Sequence, residues 1–391
     1  MDVLIVGGGF AGVQAARSVT RSLPGASVTL IDRTGYATMI PALPDALSGR
    51  IATDRLARPL DETLGDEVQL RVDSVVRIDG DARRVHTAEE TLPFDALVLA
   101  PGSVSTPVPD ALSGATWHSV ATRSDALAFR RAVAGRLLAG ATPEVLIIGG
   151  GYTGLETALA LRGATRKEPA PRVTVVEAGP DVLPMVAERR RTRLKDYLFR
   201  QGVDLRLATT VQTVRNGRVR LSDGAEFDAP LLCWAAGMRA APIDLGDRVA
   251  RAADGRIEVD EFLRVPGLPA VFVAGDMALL KRKGTPVRRA VNFAYYSGRR
   301  AGRNAVAHLT GTRLKPFTPV DLGWVIPLGD VSVGRVFGAI SVGGRLGLRM
   351  HYTMSGIRHF GGGFGREYYR TALNLQRRPA ALDVPDERGT P

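Results

Sequence analysis

One stretch of this chain occurs twice, and the repeat constrains the fold more than any other feature. Residues 3–16 read VLIVGGGFAGVQAA and residues 145–158 read VLIIGGGYTGLETA, an offset of 142 residues with eight positions identical. The context repeats as well. VTLID, ending at Asp32, follows the first copy, and VTVVE, ending at Glu177, follows the second; later come FDALVLAPG, ending at Gly102, and FDAPLLCWAAG, ending at Gly237. A duplication of this period, with a short apolar run before each glycine cluster, predicts two α/β nucleotide-binding units in tandem. The runs at 3–6 and 145–148 are those of parallel strands buried on both faces.

Each glycine cluster has a physical reading. In Gly7-x-Gly9-x-x-Gly12, Gly7 permits a tight turn, Gly9 lets the backbone approach a pyrophosphate, and Gly12 allows close packing of helix on strand. The helix N-terminus offers unpaired N–H groups to phosphate charge. Asp32, at the end of the next strand, can accept hydrogen bonds from an adenosine ribose. Gly149, Gly151 and Gly154 with Glu177 repeat the pattern, so two dinucleotides are expected. Glu177 would repel a 2′-phosphate and no arginine follows it in EAGP, which favours NADH over NADPH. A third element, VFVAGD over 271–276, is a buried strand running into Gly275 and Asp276. That carboxylate is placed to hold the ribityl hydroxyls of a flavin, and a helix expected over 290–308 would turn its positive end toward the reduced ring.

The segments 68–85 and 203–221 alternate and carry the turn signals Asp79-Gly80, Asn216-Gly217 and Asp223-Gly224, reading as antiparallel sheets inserted in each unit. The expected fold is therefore α/β, with two Rossmann-like dinucleotide-binding domains and small antiparallel sheets inserted in each, ending in a frayed tail.

At this point the sequence resembles the two-dinucleotide-binding-domain flavoproteins of the pyridine nucleotide-disulfide oxidoreductase type, over residues 2 to about 330. Within them it is most similar to type II NADH dehydrogenases, the single-subunit NADH:quinone oxidoreductases. GYATMIPALPDALSG is similar to the family segment whose proline, here Pro41, lies near the flavin. GGGYTGLETA matches GGGPTGVELA and places Glu156 where the family has a carboxylate between flavin and nicotinamide. VAGDMA is like its flavin-binding GD motif, and DLGWVIPLG looks like its DKGSLATIG, with Leu322 in place of the lysine. Where the family carries AQxAxQQG near its quinone site, this chain reads VNFAYYSG, with Asn292 for the first glutamine and Tyr296-Ser297 for the pair. The family's apolar C-terminal helices are reduced here to a stretch interrupted by arginines and glycines. The resemblance implies FAD held first, NAD(P)H second and a C-terminal α+β domain last: a discontinuous FAD domain, 1–112 and 266–312, an NAD(H) domain, 113–265, and residues 313–391 as an acceptor-side, membrane or dimer-interface domain with a frayed tail. It implies FAD contacts at Gly7, Gly9, Phe10, Ala11, Gly12, Asp32, Arg33, Pro41, Val75, Ala100, Gly102, Gly275 and Asp276. It implies NAD contacts at Gly149, Gly151, Tyr152, Thr153, Gly154, Glu177 and Gly237. Glu156 is the proton-handling candidate, and Asn292, Tyr295 and Tyr296 are candidates for an acceptor pocket.

Composition narrows the chemistry further. Cys233 is the sole cysteine, so neither a redox dithiol nor a four-thiolate metal site can be built from one chain. It sits in an apolar run and reads as a small buried hydrophobe. The five histidines show no metal-ligand spacing, and no metal is expected. The formal charge of +12 is uneven: residues 281–391 carry 19 basic and 6 acidic side chains, against 33 and 34 in residues 1–280. This excess reads as a docking surface for anionic lipid first and an acidic carrier protein second; no nucleic acid is expected. No apolar run reaches bilayer length and the first strand begins at Asp2, so the expected location is cytoplasmic, with peripheral attachment to the membrane face as an option and a homodimer as a candidate assembly. Three functions fit: an NADH dehydrogenase passing electrons to a quinone-like or other small organic acceptor, a ferredoxin-type reductase with a basic docking face, and an NADH-sensing flavoprotein that binds nucleic acid or a partner.

Overall fold

The computed structural model describes residues 1–164, 170–329, 331–338 and 340–360. The expected tail, and the end of the C-terminal segment, lie outside them. Each copy of the repeat builds a parallel sheet of the same order. In the first, Asp2–Val6 lies between Ala96–Leu99 and Ser27–Asp32, and Gln69–Val72 pairs beyond the latter. In the second, Glu144–Ile148 lies between Leu231–Trp234 and Arg172–Val176, with Val203–Arg206 outside. The central strands are buried along nearly their whole length, as their unbroken aliphatic runs require. Leu268–Val273 adds to the first sheet in parallel beside Ala96–Leu99, with Arg264–Val265 antiparallel at its edge. The short strand Trp117–His118 extends the second.

Antiparallel sheets of three strands follow at matching places, Val75–Asp79, Arg84–Thr87 and Thr91–Pro93 in one unit and Val211–Arg215, Arg218–Leu221 and Glu226–Asp228 in the other. Asn216 and Gly217 both have positive φ, 50° and 76°, the geometry of a two-residue hairpin turn whose twist suits the flanking strands. The expectation of antiparallel strands from 68 and from 203 needs correcting at its start: Gln69–Val72 and Val203–Arg206 belong to the parallel sheets. Both are outer strands with one face toward solvent, and alternation reports which faces are wet rather than the direction of the neighbour. The two units are stitched together where Ser103–Ser105, just past Gly102, pairs antiparallel with Met238–Ala240, just past Gly237.

Helix Phe10–Ser22 follows the first glycine cluster and helix Tyr152–Ala164 the second. Helix Val291–Leu309, one residue on from the expected start, lies across the first of these. The approach depends on small residues: a Cβ on Gly298 would stand 2.1 Å from the Ala11 carbonyl oxygen, and one on Gly302 2.5 Å from that of Ala15. Strands Gly323–Leu328, Val331–Val336 and Ile340–Gly343 then form an antiparallel meander, and helix Gly344–Phe360 packs on it through Leu348 and Tyr352.

Gly298→Ala forces backbone apart and should cost about 1–3 kcal/mol in urea unfolding, the range for overpacking a tight contact. Gly135→Ala, on helix Arg123–Leu138 with nothing within 4 Å of its added methyl, should be neutral or stabilising.

Candidate functional site

The six fingerprint glycines divide by what a side chain would meet. A Cβ on Gly7 would stand 2.4 Å from the Ala100 carbonyl oxygen, and one on Gly149 2.5 Å from that of Ala235, so each turn is pressed against the end of the neighbouring strand. Gly12 and Gly154 are closed by their own loops, at 1.8 Å from Gly7 O and 1.9 Å from Gly149 O. Gly9 and Gly151 meet nothing within 4 Å. Two cradles result, each clear at its middle glycine beside a helix start, which suits a diphosphate.

The acids that end the following strands are tied to these loops. Asp32 accepts from the Gly8 N–H at 2.8 Å through Oδ2, and through Oδ1 from the backbone N–H groups of Thr34 and Gly35. Glu177 accepts from Gly150 N–H at 2.6 Å and Gly179 N–H at 2.7 Å. Each acid thereby holds the loop of its own cradle. Of the remaining expected contacts, Phe10, Ala11 and Ala100 are buried around the first cradle, Gly102 leaves it with open space beside it, and Arg33 is exposed next to Asp32. Val75 is half-buried in the inserted sheet. Thr153 and Gly237 are exposed at the second unit, and Tyr152 is half-buried, its ring 6.4 Å from that of Trp324.

Gly275 turns with φ 67°, its N–H donating to Ser297 Oγ at 2.9 Å, and presents Asp276. Burial raises the Asp276 carboxyl, opposed by the Ser103 hydroxyl, which donates to it at 2.8 Å, and by Arg289 and Arg256. A deep carboxylate with one neutral donor is chemically suited to the hydroxyls of a ribityl chain. Together with the clear space at Gly9, this fits a flavin dinucleotide at the first unit.

Sequence reasoning selected Glu156 but missed what surrounds it. Glu156 lines a small cavity with Pro41, Asp45, Arg50 and Pro327. Burial holds its carboxyl well above the usual carboxylate range, and Asp45 pushes it the same way. Asp45 accepts a hydrogen bond from the hydroxyl of fully buried Tyr352, and Arg50 Nη1 stands 3.8 Å from its other oxygen. Arg50 also donates to the Gly329 carbonyl at 2.6 Å. Burial raises Asp45, but Arg50 and Tyr352 oppose that rise, whereas Glu156 has no hydrogen-bond or ion-pair partner among the described residues. Arg50 and Tyr352 thus act on Asp45 alone, and the rise is the stronger at Glu156. His351 beside them is neutral: burial lowers it to about 4, and Nδ1–H donates to Val325 O at 3.0 Å. Asp45 lay within the segment quoted for its proline, but nothing local marks it for Tyr352, 307 residues away.

The acceptor candidates separate. Asn292 is buried and its side-chain amide donates to Val320 O at 2.9 Å, so it holds the 320–324 segment. Tyr295 and Tyr296 meet edge to face with centroids 5.0 Å apart, and Tyr296 is exposed. Cys233 is fully buried, and burial pushes its thiol up to about 12, as its apolar run leads one to expect. Among the described residues no group of acids, histidines or cysteine is arranged to hold a metal.

Residues 1–298 match the model of the pyridine nucleotide-disulphide oxidoreductase family. The chain belongs to this family of FAD-dependent NAD(P)H oxidoreductases. It is 31% identical over 354 residues to an NADH dehydrogenase-like protein of Mycobacterium tuberculosis, covering 86% of this chain and 87% of that one. It is 28% identical over 366 residues to the type II NADH:quinone oxidoreductase of Staphylococcus aureus, covering 86% and 90%. The structure of NDH2 from Plasmodium falciparum in complex with NADH superposes with a TM-score of 0.83 over 98% of this chain and 99% of that one, at 14% identity, which shows a shared fold.

The raised Glu156 carboxyl has a thermodynamic consequence. The folded chain binds a proton there that the unfolded chain has released, so stability falls as pH rises from the ordinary carboxyl range through the folded value. Glu156→Gln removes that proton linkage. Its melting temperature should therefore gain on the parent as pH rises from 5 to 8, measured by differential scanning calorimetry.

Proposed function

We propose that this protein oxidises NADH through FAD and delivers the electrons to a quinone-like or other small organic acceptor. In balance, NADH, one proton and a quinone give NAD⁺ and a quinol. The observation that carries this reading is the acid cavity lined by Glu156 of the second unit and Asp45 of the first, in a chain with two glycine cradles. In this reading residues 1–112 and 266–312 hold FAD, residues 113–265 hold NADH, and residues 313–391 form the acceptor side. Relatives named as NADH:quinone oxidoreductases support it.

Bound FAD supplies the two-electron relay, and the chain's own residues bind, orient and manage protons. The cradles at Gly9 and Gly151 take the two diphosphates on helix N-termini, while Asp276 accepts from the ribityl hydroxyls. Glu177 accepts from the adenosine ribose of NADH and repels a 2′-phosphate. Glu156, its carboxyl held well above the usual carboxylate range by burial and then by Asp45, is the group that would hold and give a proton at its carboxyl oxygen. Arg50 and Tyr352 oppose the rise of the Asp45 carboxyl, so the helix Gly344–Phe360 acts on the acid that faces Glu156.

The purified protein should be yellow and should bleach anaerobically on adding NADH, and a panel of quinones should restore the absorbance; a colourless protein overturns the reading. Gly9→Val should lose FAD, whereas Gly151→Val should retain it and lose NADH affinity by tenfold or more, read by absorbance and stopped flow. Glu156→Gln should slow reoxidation by quinone more than reduction by NADH, by about 10²–10⁴-fold if it supplies general acid catalysis.

We also propose that the basic C-terminal third rests on an anionic membrane surface. Helix Gly344–Phe360 exposes Leu346, Met354 and Ile357, and no helix among the described residues is long and apolar enough to cross a membrane. Vesicles of phosphatidylglycerol should sediment the protein and about 0.5 M salt should release it, whereas phosphatidylcholine vesicles should not bind.

A further inference from the structure

On the outer face of helix Val291–Leu309 a cleft of about 460 Å³ combines charge with apolar surface. Its floor carries Arg299, Arg300 and Arg303 beside Tyr296, and its far wall is the segment 316–322, with Phe317, Val320 and Leu322 turned inward. Among the described residues no carboxylate lines it and no ion pair forms at any of the three arginines. Arg300 is lowered by burial and then by its two neighbours, as expected of crowded guanidiniums without a counter-charge. Arg17 stands near Tyr295 and Arg358 near Tyr296, adding cations beside the tyrosine pair. Three guanidiniums gathered in one cleft, two half-buried and Arg303 exposed, suit an anion, and the apolar wall calls for a ligand with a ring or hydrocarbon body.

The segment 320–324 links the cleft to Tyr152, on the helix that carries Glu156. Val320 and Leu322 face the cleft, while Asp321 pairs with Arg288 and lies within electrostatic reach of Tyr152, and Trp324 packs beside the Tyr152 ring. Asn292 anchors this segment by holding Val320 O. We infer that the cleft binds the electron acceptor, and that this acceptor is an aromatic or quinonoid molecule bearing a carboxylate, sulfonate or phosphate, its ring against Tyr296, Val320 and Leu322 and its anion on Arg299, Arg300 and Arg303. This deepens the proposed function and rests on it. Planar forked donors suit such an oxyanion, whereas a neutral quinone would leave all three unanswered.

The test uses the FAD-loaded full-length protein and a redox-inert pair, 2-naphthoate and its neutral amide. By titration calorimetry at low salt, naphthoate should bind about tenfold or more tightly than the amide, the scale of one charge-assisted hydrogen bond. The difference should vanish in the Arg299→Gln/Arg303→Gln variant and shrink as ionic strength rises; retained flavin absorbance shows that the variant is folded. Naphthoate should also raise the KM of a sulfonated naphthoquinone while leaving the rate of flavin bleaching by NADH unaltered. Equal binding of the pair, no effect of the substitutions, or an unmoved KM would each overturn the inference. A flavin that NADH does not bleach defeats the proposed function instead; bleaching and reoxidation by neutral quinones with equal binding of the pair defeats this inference alone.

Discussion

The contact on which the rest depends is the press of a glycine turn against the end of a neighbouring strand. Gly7 against Ala100, and Gly149 against Ala235, bring backbone to within a distance no Cβ could share. Gly12 and Gly154 then seat the following helix on the turn itself. Only with both contacts closed does the loop aim its N–H groups outward over the open middle glycine. Anion binding is therefore a by-product of packing: the atoms that would clash decide where the helix dipole points.

The same economy of small residues joins the molecule's parts. Gly298 and Gly302 let helix Val291–Leu309 sit on helix Phe10–Ser22, and that closeness brings Ser297 to the Gly275 N–H and sets the turn that presents Asp276. On the opposite side of the site, Asp45, Arg50, Glu156 and Tyr352 come from three separate stretches of chain. Their charges settle only as a group. One guanidinium and one phenol oppose the rise at Asp45, and the remaining carboxyl, Glu156, is pushed well up by burial and by Asp45. A cofactor site of this kind asks the protein for orientation and one well-placed proton, since hydride chemistry belongs to the cofactors.

Much of this was legible in the residues. The duplicated fingerprints, the strand-ending acids Asp32 and Glu177, the GD turn and the buried thiol all appear in the structure where local pattern put them. Local rules suffice there because turn sterics, strand burial and helix starts are decided within a few residues. The same rules mistook the outer strands Gln69–Val72 and Val203–Arg206 for antiparallel ones, because alternation carries no direction. They also offered Asn292 as an acceptor contact, where its amide instead holds Val320.

What the sequence determined by itself, then, is the pair of dinucleotide cradles and the exclusion of dithiol chemistry, both properties of residue type at short spacing. Tertiary structure alone decided which acid is pushed furthest up and which arginines share a cleft. Tyr352 reaches Asp45 across 307 residues, and Arg299, Arg300 and Arg303 meet Phe317 only because the chain turns back along its own helix. A pKa or an unpaired charge is set by what surrounds it in space, and no spacing along the chain encodes that neighbourhood.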